Sequence, residues 1–305
     1  MANILLRSPY YVIPDPEIGS TTAQLQLNIN GNLKYTISKE VDAAGSAIFE
    51  ISELSRDYID IEFYGSYLSQ TIEISGSVIH YNEDGVPVGD AYPFSHKGFD
   101  GYSYFSEGSG TTITSNSLLQ SNAIMYVPND TSGVVPSEFG GDIIYNSFTT
   151  TDTVITVGGT DIRINRVCEP KYTPIKLTFV NKFGALQDMW MFKKDTKDIK
   201  ISKERFNRST INSFGVYSTH KHQKSTLSAI GNESMTVNTG YIDESLNDAV
   251  KELLLSNQAW ATIEGQVLPI DINTESLTYK NSVNDKLINY TLTFDFAFDT
   301  INNIR

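Results

Sequence analysis

The chain has 305 residues, with 23 lysines and arginines against 36 aspartates and glutamates, which gives a formal net charge of −13. At roughly 150 residues per domain, this length predicts about two domains, each able to bury its own core. The acidic balance excludes a nucleic-acid-binding protein that works by overall charge, because neutralising phosphates takes an excess of lysine and arginine.

Three further exclusions come from composition. The single cysteine, Cys168, excludes a disulfide framework, and we expect it to be a buried, inert thiol. No stretch approaches the run of about 18 apolar residues that a membrane span needs. Residues 1–20 contain three prolines and two acids where a signal peptide needs an apolar run. We therefore expect a soluble chain.

The charge is unevenly distributed along the chain. Residues 1–165 hold 20 acids and 6 bases, residues 166–224 hold 5 acids and 13 bases, and residues 225–305 hold 11 acids and 4 bases. Such blocks are typical either of solvated faces or of surfaces that meet oppositely charged partners.

The first half reads as β-strands. Residues 23–29 alternate apolar and polar side chains, and an Asn30-Gly31 pair then predicts a type I′ turn into a second strand at 33–37. Residues 71–81 alternate again. Between them, Ser52 or Asp57 is a candidate cap for a short helical turn. Together these features predict an acidic β-sandwich-like module within residues 1–165.

Glycines and aromatics interleave at residues 98–110, which predicts a tight loop rather than regular structure. Tyr102, Tyr104 and Phe105 in this loop are candidates to contact a ligand. They are equally candidates to fill the contact between the two halves of the chain. A hairpin with a Gly158-Gly159 turn follows, and prolines at 170 and 174 place a domain boundary near residues 165–175.

The second half also consists mainly of predicted strands. They lie at 175–180, 189–193, 214–219, 234–238, 260–264, 267–273 and 287–298, and a lysine-rich arm lies at 193–205. The one helix predicted with an amphipathic pattern covers residues 243–257, with Asp243 and Glu244 in its first turn. In the last strand, large residues alternate from Tyr290 to Phe298, which predicts the main wall of the core.

Residues that carry chemistry are few. His220 and His222 have a spacing that a metal could use, but two surface histidines are the more common explanation. The acids from Glu50 to Glu62 could hold a glycosidase pair, although acids at this spacing are common on exposed edges. Phosphate-loop, dinucleotide and nucleophile-elbow patterns are missing from the sequence. We therefore predict no enzyme and no catalytic, cofactor-binding or metal-ligating residue.

The order of elements in the second half is informative. Strands, one amphipathic helix, a strand containing Pro269 and a long final strand follow one another. This order resembles the β-barrel of phage tail tube proteins and distal tail (baseplate hub) proteins, in which one helix flanks the barrel. The resemblance implies a mainly β fold with a tail-tube-like barrel at residues 166–305.

A second resemblance spans more of the chain. Residues 48–60, 98–108, 168–194 and 238–245 are similar to segments of virion structural proteins of tailed bacteriophages that infect Bacteroidetes-type hosts. It implies a structural protein of the virion, assembled in the host cytoplasm, without a position within the particle, and it carries over no catalytic residue.

The two resemblances together imply a homo-oligomeric ring in the virion tail, in the tail tube, baseplate or neck, formed by β pairing between the sheet edges of neighbouring subunits. Its partners would be copies of itself, with six-fold symmetry expected, and other tail or neck proteins, but no membrane and no specific nucleic-acid sequence. We expect five lysines to face an acidic surface of a neighbouring subunit: Lys193, Lys194, Lys197, Lys200 and Lys203. The alternative function is a host-glycan-binding adhesion module that uses the aromatic loop.

Overall fold

A computed structural model describes residues 2–108, 111–120, 123–169, 171–274, 276, 278 and 288–301. The protein is mainly β, as predicted. Its strands are Ala2–Leu5 (β1), Tyr11–Val12 (β2), Thr22–Ile29 (β3), Asn32–Glu40 (β4), Phe49–Glu50 (β5), Ile72–Tyr81 (β6), Pro87–Phe99 (β7), Ile124–Pro128 (β8), Gly133–Phe139 (β9), Asp142–Phe148 (β10), Val154–Val157 (β11), Thr160–Val167 (β12), Ile175–Val180 (β13), Leu186–Met191 (β14), Thr196–Asn207 (β15), Lys224–Asn238 (β16), Ala259–Ile263 (β17), Gln266–Ile272 (β18) and Thr291–Phe296 (β19). The α-helices are Ser52–Arg56 (α1) and Asn247–Leu255 (α2), and the 3₁₀ turns are Phe105–Glu107 and Glu244–Leu246.

The first sheet has the strand order β1-β7-β6-β3-β4. Its β3–β4 hairpin closes through Asn30 and Gly31 at φ 50° and 76°, the paired positive values that the predicted turn needs. The small β2–β5 sheet covers one face of this sheet, and Phe49 shares a buried cluster with Leu25 and Leu27. These two layers form the sandwich-like part of the first half.

The short helix α1 starts in a different way from the one expected. Its N-cap is Ile51 and neither Ser52 nor Asp57, and Asp57 lies at its C-cap. The Glu50 carboxylate accepts hydrogen bonds from the backbone N–H groups of Ser52 (2.9 Å) and Glu53 (3.2 Å), which satisfies donors that a helix start leaves open.

Two small sheets occupy the middle of the chain. One pairs β9 with β10, and the other has the order β11-β12-β8, in which β12 and β8 are parallel. The β11–β12 hairpin closes through Gly158 and Gly159, both at positive φ, as their sequence predicts. Phe148 and Ile162 lie in the buried cluster between these sheets.

The second half is built on a seven-stranded sheet with the order β14-β13-β17-β18-β19-β16-β15. Its two end strands, β14 and β15, are different, and the hydrogen bonds among the described residues leave it open rather than closed into a barrel. The helix α2 packs on one face, where Val250 and Leu253 join Phe179 and Phe294 in the largest buried cluster. The predicted wall is confirmed from Tyr290 to Phe296, whereas Phe298 is half-exposed.

Several boundaries differ from the predicted ones. Asp243 caps the 3₁₀ turn by accepting from the Ser245 N–H at 3.0 Å, and α2 then ends at Leu255. The predicted strand 214–219 is wrong, because Asn212 anchors a turn there and only Ile211 and Tyr217 form a bridge. Residues 109, 110 and 287, and residue 170 at the predicted boundary, lie outside the described residues.

The two halves are separate in strand pairing and joined in packing. In the described residues, no sheet combines strands from before and after residues 165–175. One buried cluster nevertheless unites Leu5, Phe99 and Ala185, and another unites Phe63 with Leu186. The division into two domains stays a prediction, while the core is continuous across it.

Replacing Phe294 with alanine tests the main core. The ring is fully buried between β19 and α2, so the variant should lose about 3–5 kcal/mol of unfolding free energy through lost burial and the cavity left behind. Urea denaturation followed by circular dichroism measures the loss. Phe105→Ala is the control, because that ring is fully exposed and the change should stay within about 0.5 kcal/mol.

Candidate functional site

The most exposed feature of the protein is a two-stranded arm made of β15, β16 and the connecting residues 208–223. Only the inner end of β16, at residues 234–238, also pairs with β19. The outer part of β16 pairs only with residues 199–207 of β15. Since β15 is the end strand of the sheet, those residues have no neighbour on their other side among the described strands. At about 3.3 Å per residue, this free part of the arm is about 30 Å long.

All twelve residues of β15 are exposed, and their alternation gives the arm two different faces. Lys197, Ile199, Ile201 and Lys203 share one face because they lie two residues apart. The strand register places Glu233, Gly231 and Ala229 opposite the last three. We call this the isoleucine face: two half-exposed isoleucines with a lysine at each end, beside one acid, Glu233, and two small residues.

The five predicted interface lysines do not form one surface. Lys193 donates a hydrogen bond to Glu169 at 2.6 Å, and this bond holds the pKa of that carboxyl below its usual range. Lys194 is exposed before the strand begins. Lys200 is exposed on the face opposite Lys197 and Lys203. The period of two in the strand therefore divides a set that the linear sequence presents as one cluster.

The connecting residues at the tip of the arm are also exposed. Phe214, Val216 and Tyr217 are largely open to solvent around the Asn212 turn. His220 and His222 lie in a turn and not on a strand. Within the described part of the chain, no group of three or more His, Cys, Asp or Glu side chains is arranged to hold a metal ion.

A second surface has the opposite charge. We call residues 53–68 the acidic segment, because four of its side chains are exposed acids: Glu53, Asp57, Asp60 and Glu62. It also exposes apolar groups, with Tyr64 78% and Leu68 61% open to solvent. Phe63 and Tyr67 anchor the segment to the rest of the chain by packing on Trp260 and Tyr145, respectively.

The aromatic loop lies in the contact between the two halves. The Tyr102 ring is buried, stacks edge-on against Tyr104 at 5.6 Å and lies under the Arg7 guanidinium at 4.8 Å. Burial raises the pKa of the Tyr102 hydroxyl to about 12. The ammonium of Lys251, on α2, lies 3.6 Å from the centre of the Tyr104 ring. Of the three candidate aromatics, only Phe105 is fully exposed.

Ionic groups reinforce this contact at the turn between β13 and β14. Lys182, almost fully buried, forms an ion pair with Glu107 of the aromatic loop. Its backbone N–H donates to the buried Glu252 carboxylate of α2 at 3.2 Å, and Gln120 donates to the other oxygen. Burial raises the pKa of Glu252. The Tyr102 N–H donates to the Lys182 carbonyl at 2.8 Å.

Sequence reasoning missed Lys182 and Glu252. Nothing in their local sequence marks them as buried, because charged residues are mostly exposed and only long-range contacts bury this pair. The expected burial of Cys168 was wrong, since its thiol is free and exposed. Neither α-helix in the described residues has the length and apolar character needed to cross a bilayer.

Comparison with known proteins finds no matching family model, no similar curated protein and no similar solved structure.

Replacing Glu107 with glutamine tests the ionic contact between the halves. Burial opposes ionisation of Glu107, but the hydrogen bond and charge of Lys182 outweigh it and lower the pKa. A lowered pKa stabilises the fold above about pH 4.3, the ordinary value for glutamate, and the stabilisation is lost as pH falls through the lower folded-state value. Because Glu107 is partly exposed, the variant should lose only about 1 kcal/mol at neutral pH.

Urea denaturation at several pH values measures this difference, which should shrink in acid. The matched control is Glu83→Gln, which alters an exposed glutamate in a turn that takes part in no described ion pair. A difference that stays constant down to acidic pH would show that the ion pair is not its cause.

Proposed function

We propose that this chain is a structural subunit of a tailed-bacteriophage virion that assembles with copies of itself into a ring in the tail tube, baseplate or neck. The support is of two kinds. The order of elements resembles that of tail tube and distal tail proteins. The exposed arm and the acidic segment are two unlike surfaces of one chain with complementary chemistry. On this proposal the protein is not an enzyme and works by assembly in the virion tail.

The observation that carries the proposal is the outer edge of β15. Among the described residues, no backbone hydrogen bond reaches that edge, although the strand has twelve residues. A long exposed edge is a template for pairing with another chain, and monomeric proteins usually shorten, bend or cover such edges. Isoleucines beside this edge would become buried in a partner contact.

The acidic segment is the partner surface that fits the arm. The isoleucine face combines two apolar side chains with flanking lysines, and the acidic segment combines exposed Tyr64 and Leu68 with carboxylates such as Asp57 and Glu62. Apolar contact at the centre with opposite charges around it is the usual composition of an interface. We infer that the arm of one subunit packs on the acidic segment of the next.

Such a contact joins two different patches, so it is heterologous. Heterologous contacts repeat around an axis and close into a ring when the rotation divides a full turn. The expected six-fold symmetry follows from the resemblance to tail tube proteins and not from the arm itself. Other tail or neck proteins would then contact the faces of the ring.

The alternative function, adhesion to a host glycan, would use the aromatic loop, but two of its three candidate aromatic rings are not free to bind one. Tyr102 and Tyr104 are engaged in the contact between the halves, with Arg7 and Lys251 over their rings. Phe105 remains exposed and, with Tyr104, lines a cleft of about 650 Å³, which is the surface left for a glycan at this loop.

Salt should weaken the assembly. Between about 0.1 M and 1 M salt the Debye length falls from about 10 Å to about 3 Å, so attraction between exposed lysines and carboxylates is screened. Multi-angle light scattering at a fixed protein concentration should show the mean mass falling towards that of one chain, 33.9 kDa. A mass that is indifferent to salt would argue against the charged contact.

Charge reversal tests the same contact at named residues. The double variant Lys197→Glu and Lys203→Glu places acids on the isoleucine face opposite an acidic partner, so we expect the ring to be lost in light scattering and in negative-stain images. Adding Asp57→Lys and Glu62→Lys to that variant should restore assembly, because the charges are then exchanged between the two surfaces.

The matched control is Lys171→Glu, which reverses an exposed lysine outside the arm and should leave assembly unchanged. If the variant with all four charges exchanged folds, as shown by circular dichroism, but does not assemble, the acidic segment is excluded as the partner surface. A wild-type chain that stays monomeric at high concentration, alone and with other tail proteins, would refute the ring.

A further inference from the structure

A cleft of about 430 Å³ lies between the seven-stranded sheet and the small sheets of the middle of the chain. This volume falls within the range of small-molecule sites, about 300–1,000 Å³. The cleft is separate from the arm and from the aromatic loop, and the acidic segment contributes one lining residue, Tyr67. Its floor is the face of the sheet opposite α2.

Strand register builds the floor from one row of side chains. Lys176 on β13 pairs with Trp190 on β14 and with Thr262 on β17, so the three side chains lie side by side on one face. In the next row of the same face, Thr178 pairs with Asp188. The intervening residues of β13, such as Leu177, point into the core.

The charges in the floor are already compensated. The Tyr67 hydroxyl donates to Asp188 Oδ2 at 2.5 Å, and the Thr178 hydroxyl donates to Asp188 Oδ1 at 2.7 Å. The Lys176 ammonium donates to the Tyr67 hydroxyl at 2.9 Å and lies 3.8 Å from Asp188. A ligand therefore meets a polar floor with no net charge, which favours a neutral molecule over an anion.

One enclosed hydroxyl in the floor has no partner. Thr262 Oγ1 is shielded from solvent and makes no hydrogen bond among the described residues, an arrangement that folded proteins usually avoid. The Lys176 ammonium has three hydrogens and also faces the cleft. The lining adds the side chains of Thr131, Ser132 and Ser147. The cleft thus presents an ammonium and serine residues to a ligand rich in hydroxyl groups, and the unpaired Thr262 hydroxyl joins them when the groups that shield it move aside.

Aromatic walls complete the cleft. The half-buried Trp190 indole and the buried Phe148 ring line it, together with Tyr67. Aromatic faces pack against the C–H faces of a flat, partly apolar ligand, while hydroxyls around them fix its orientation. An apolar ligand would leave the polar floor unpaired, which is unfavourable.

We propose that this cleft binds a neutral pyranose sugar, with Trp190 as its stacking platform and Thr262 and Lys176 as hydrogen-bonding groups. Neutral charge, a surplus of hydroxyl partners and an aromatic wall fit this ligand class together. The proposal does not depend on the ring, and it places sugar recognition away from the aromatic loop.

Tryptophan fluorescence tests the proposal, because the chain contains only Trp190 and Trp260. Trp260 lies in the neighbouring row and packs on Phe63, outside the cleft lining. The full chain is titrated separately with glucose, galactose, mannose and N-acetylglucosamine, and with galacturonate as the anionic comparison. At least one neutral sugar should change the emission of the wild type and of Trp260→Phe, and leave that of Trp190→Phe unchanged.

Thr262→Val provides a second test that needs no tryptophan change. It removes the unpaired hydroxyl and keeps the shape, so thermal stability should stay equal or rise, whereas sugar binding should weaken about two- to tenfold, the effect of one hydrogen bond. No response to any of the four neutral sugars would overturn the proposal. So would a response to galacturonate alone, equal responses in the two tryptophan variants, or unchanged binding in Thr262→Val.

Discussion

The turn from Asn181 to Gly184 is the point on which the arrangement of the molecule depends. Asn181 is fully buried and donates to the Leu118 carbonyl at 2.8 Å, while the Lys182 backbone bonds to both Tyr102 and Glu252. A side chain at Gly184 would approach the Asp100 backbone to 2.8 Å, so the close contact also needs a glycine. These polar groups are satisfied only when both halves are in place, since an unpaired buried group is costly. The Leu118 N–H in turn donates to the Pro136 carbonyl of β9, so this turn links a strand of the small sheets to the large sheet.

The arm differs from this buried turn because most of it is exposed to solvent. Its inner end is held by β19, but its outer part buries little apolar surface and leaves Ile199, Ile201 and Phe214 open to water. A two-stranded ribbon is only marginally stable by itself, because it has no second layer to cover its faces. The body of the protein is therefore complete within one chain, whereas the arm lacks the contacts that would stabilise it. That contrast is the physical basis for proposing assembly at the arm and sugar binding in the rest of the chain.

Local patterns in the sequence predicted much of the fold. Asn30-Gly31 and Gly158-Gly159 fix hairpins because they supply positive φ, and the wall from Tyr290 to Phe296 follows from a period of two. The prediction of a strand at 214–219 was wrong, because Asn212 and Gly215 form a turn within this apolar run. The sites were harder to predict from the sequence, since their residues are distant from one another along the chain. Lys176, Trp190 and Thr262 meet only through strand pairing. The role of Tyr102 between the halves was one of two predicted alternatives, and Lys182 gave no local signal.

The exposed thiol of Cys168 offers a way to count the subunits of a ring. Cys168 is the single cysteine of the chain, and its thiol is exposed. In any closed ring of identical subunits the Cys168 thiols would occupy the corners of a regular polygon. The ratio of the next-nearest to the nearest separation in a regular polygon depends on the number of corners alone and not on the radius. A distribution of distances between spin labels on Cys168 would therefore give the number of subunits without any knowledge of the diameter of the ring.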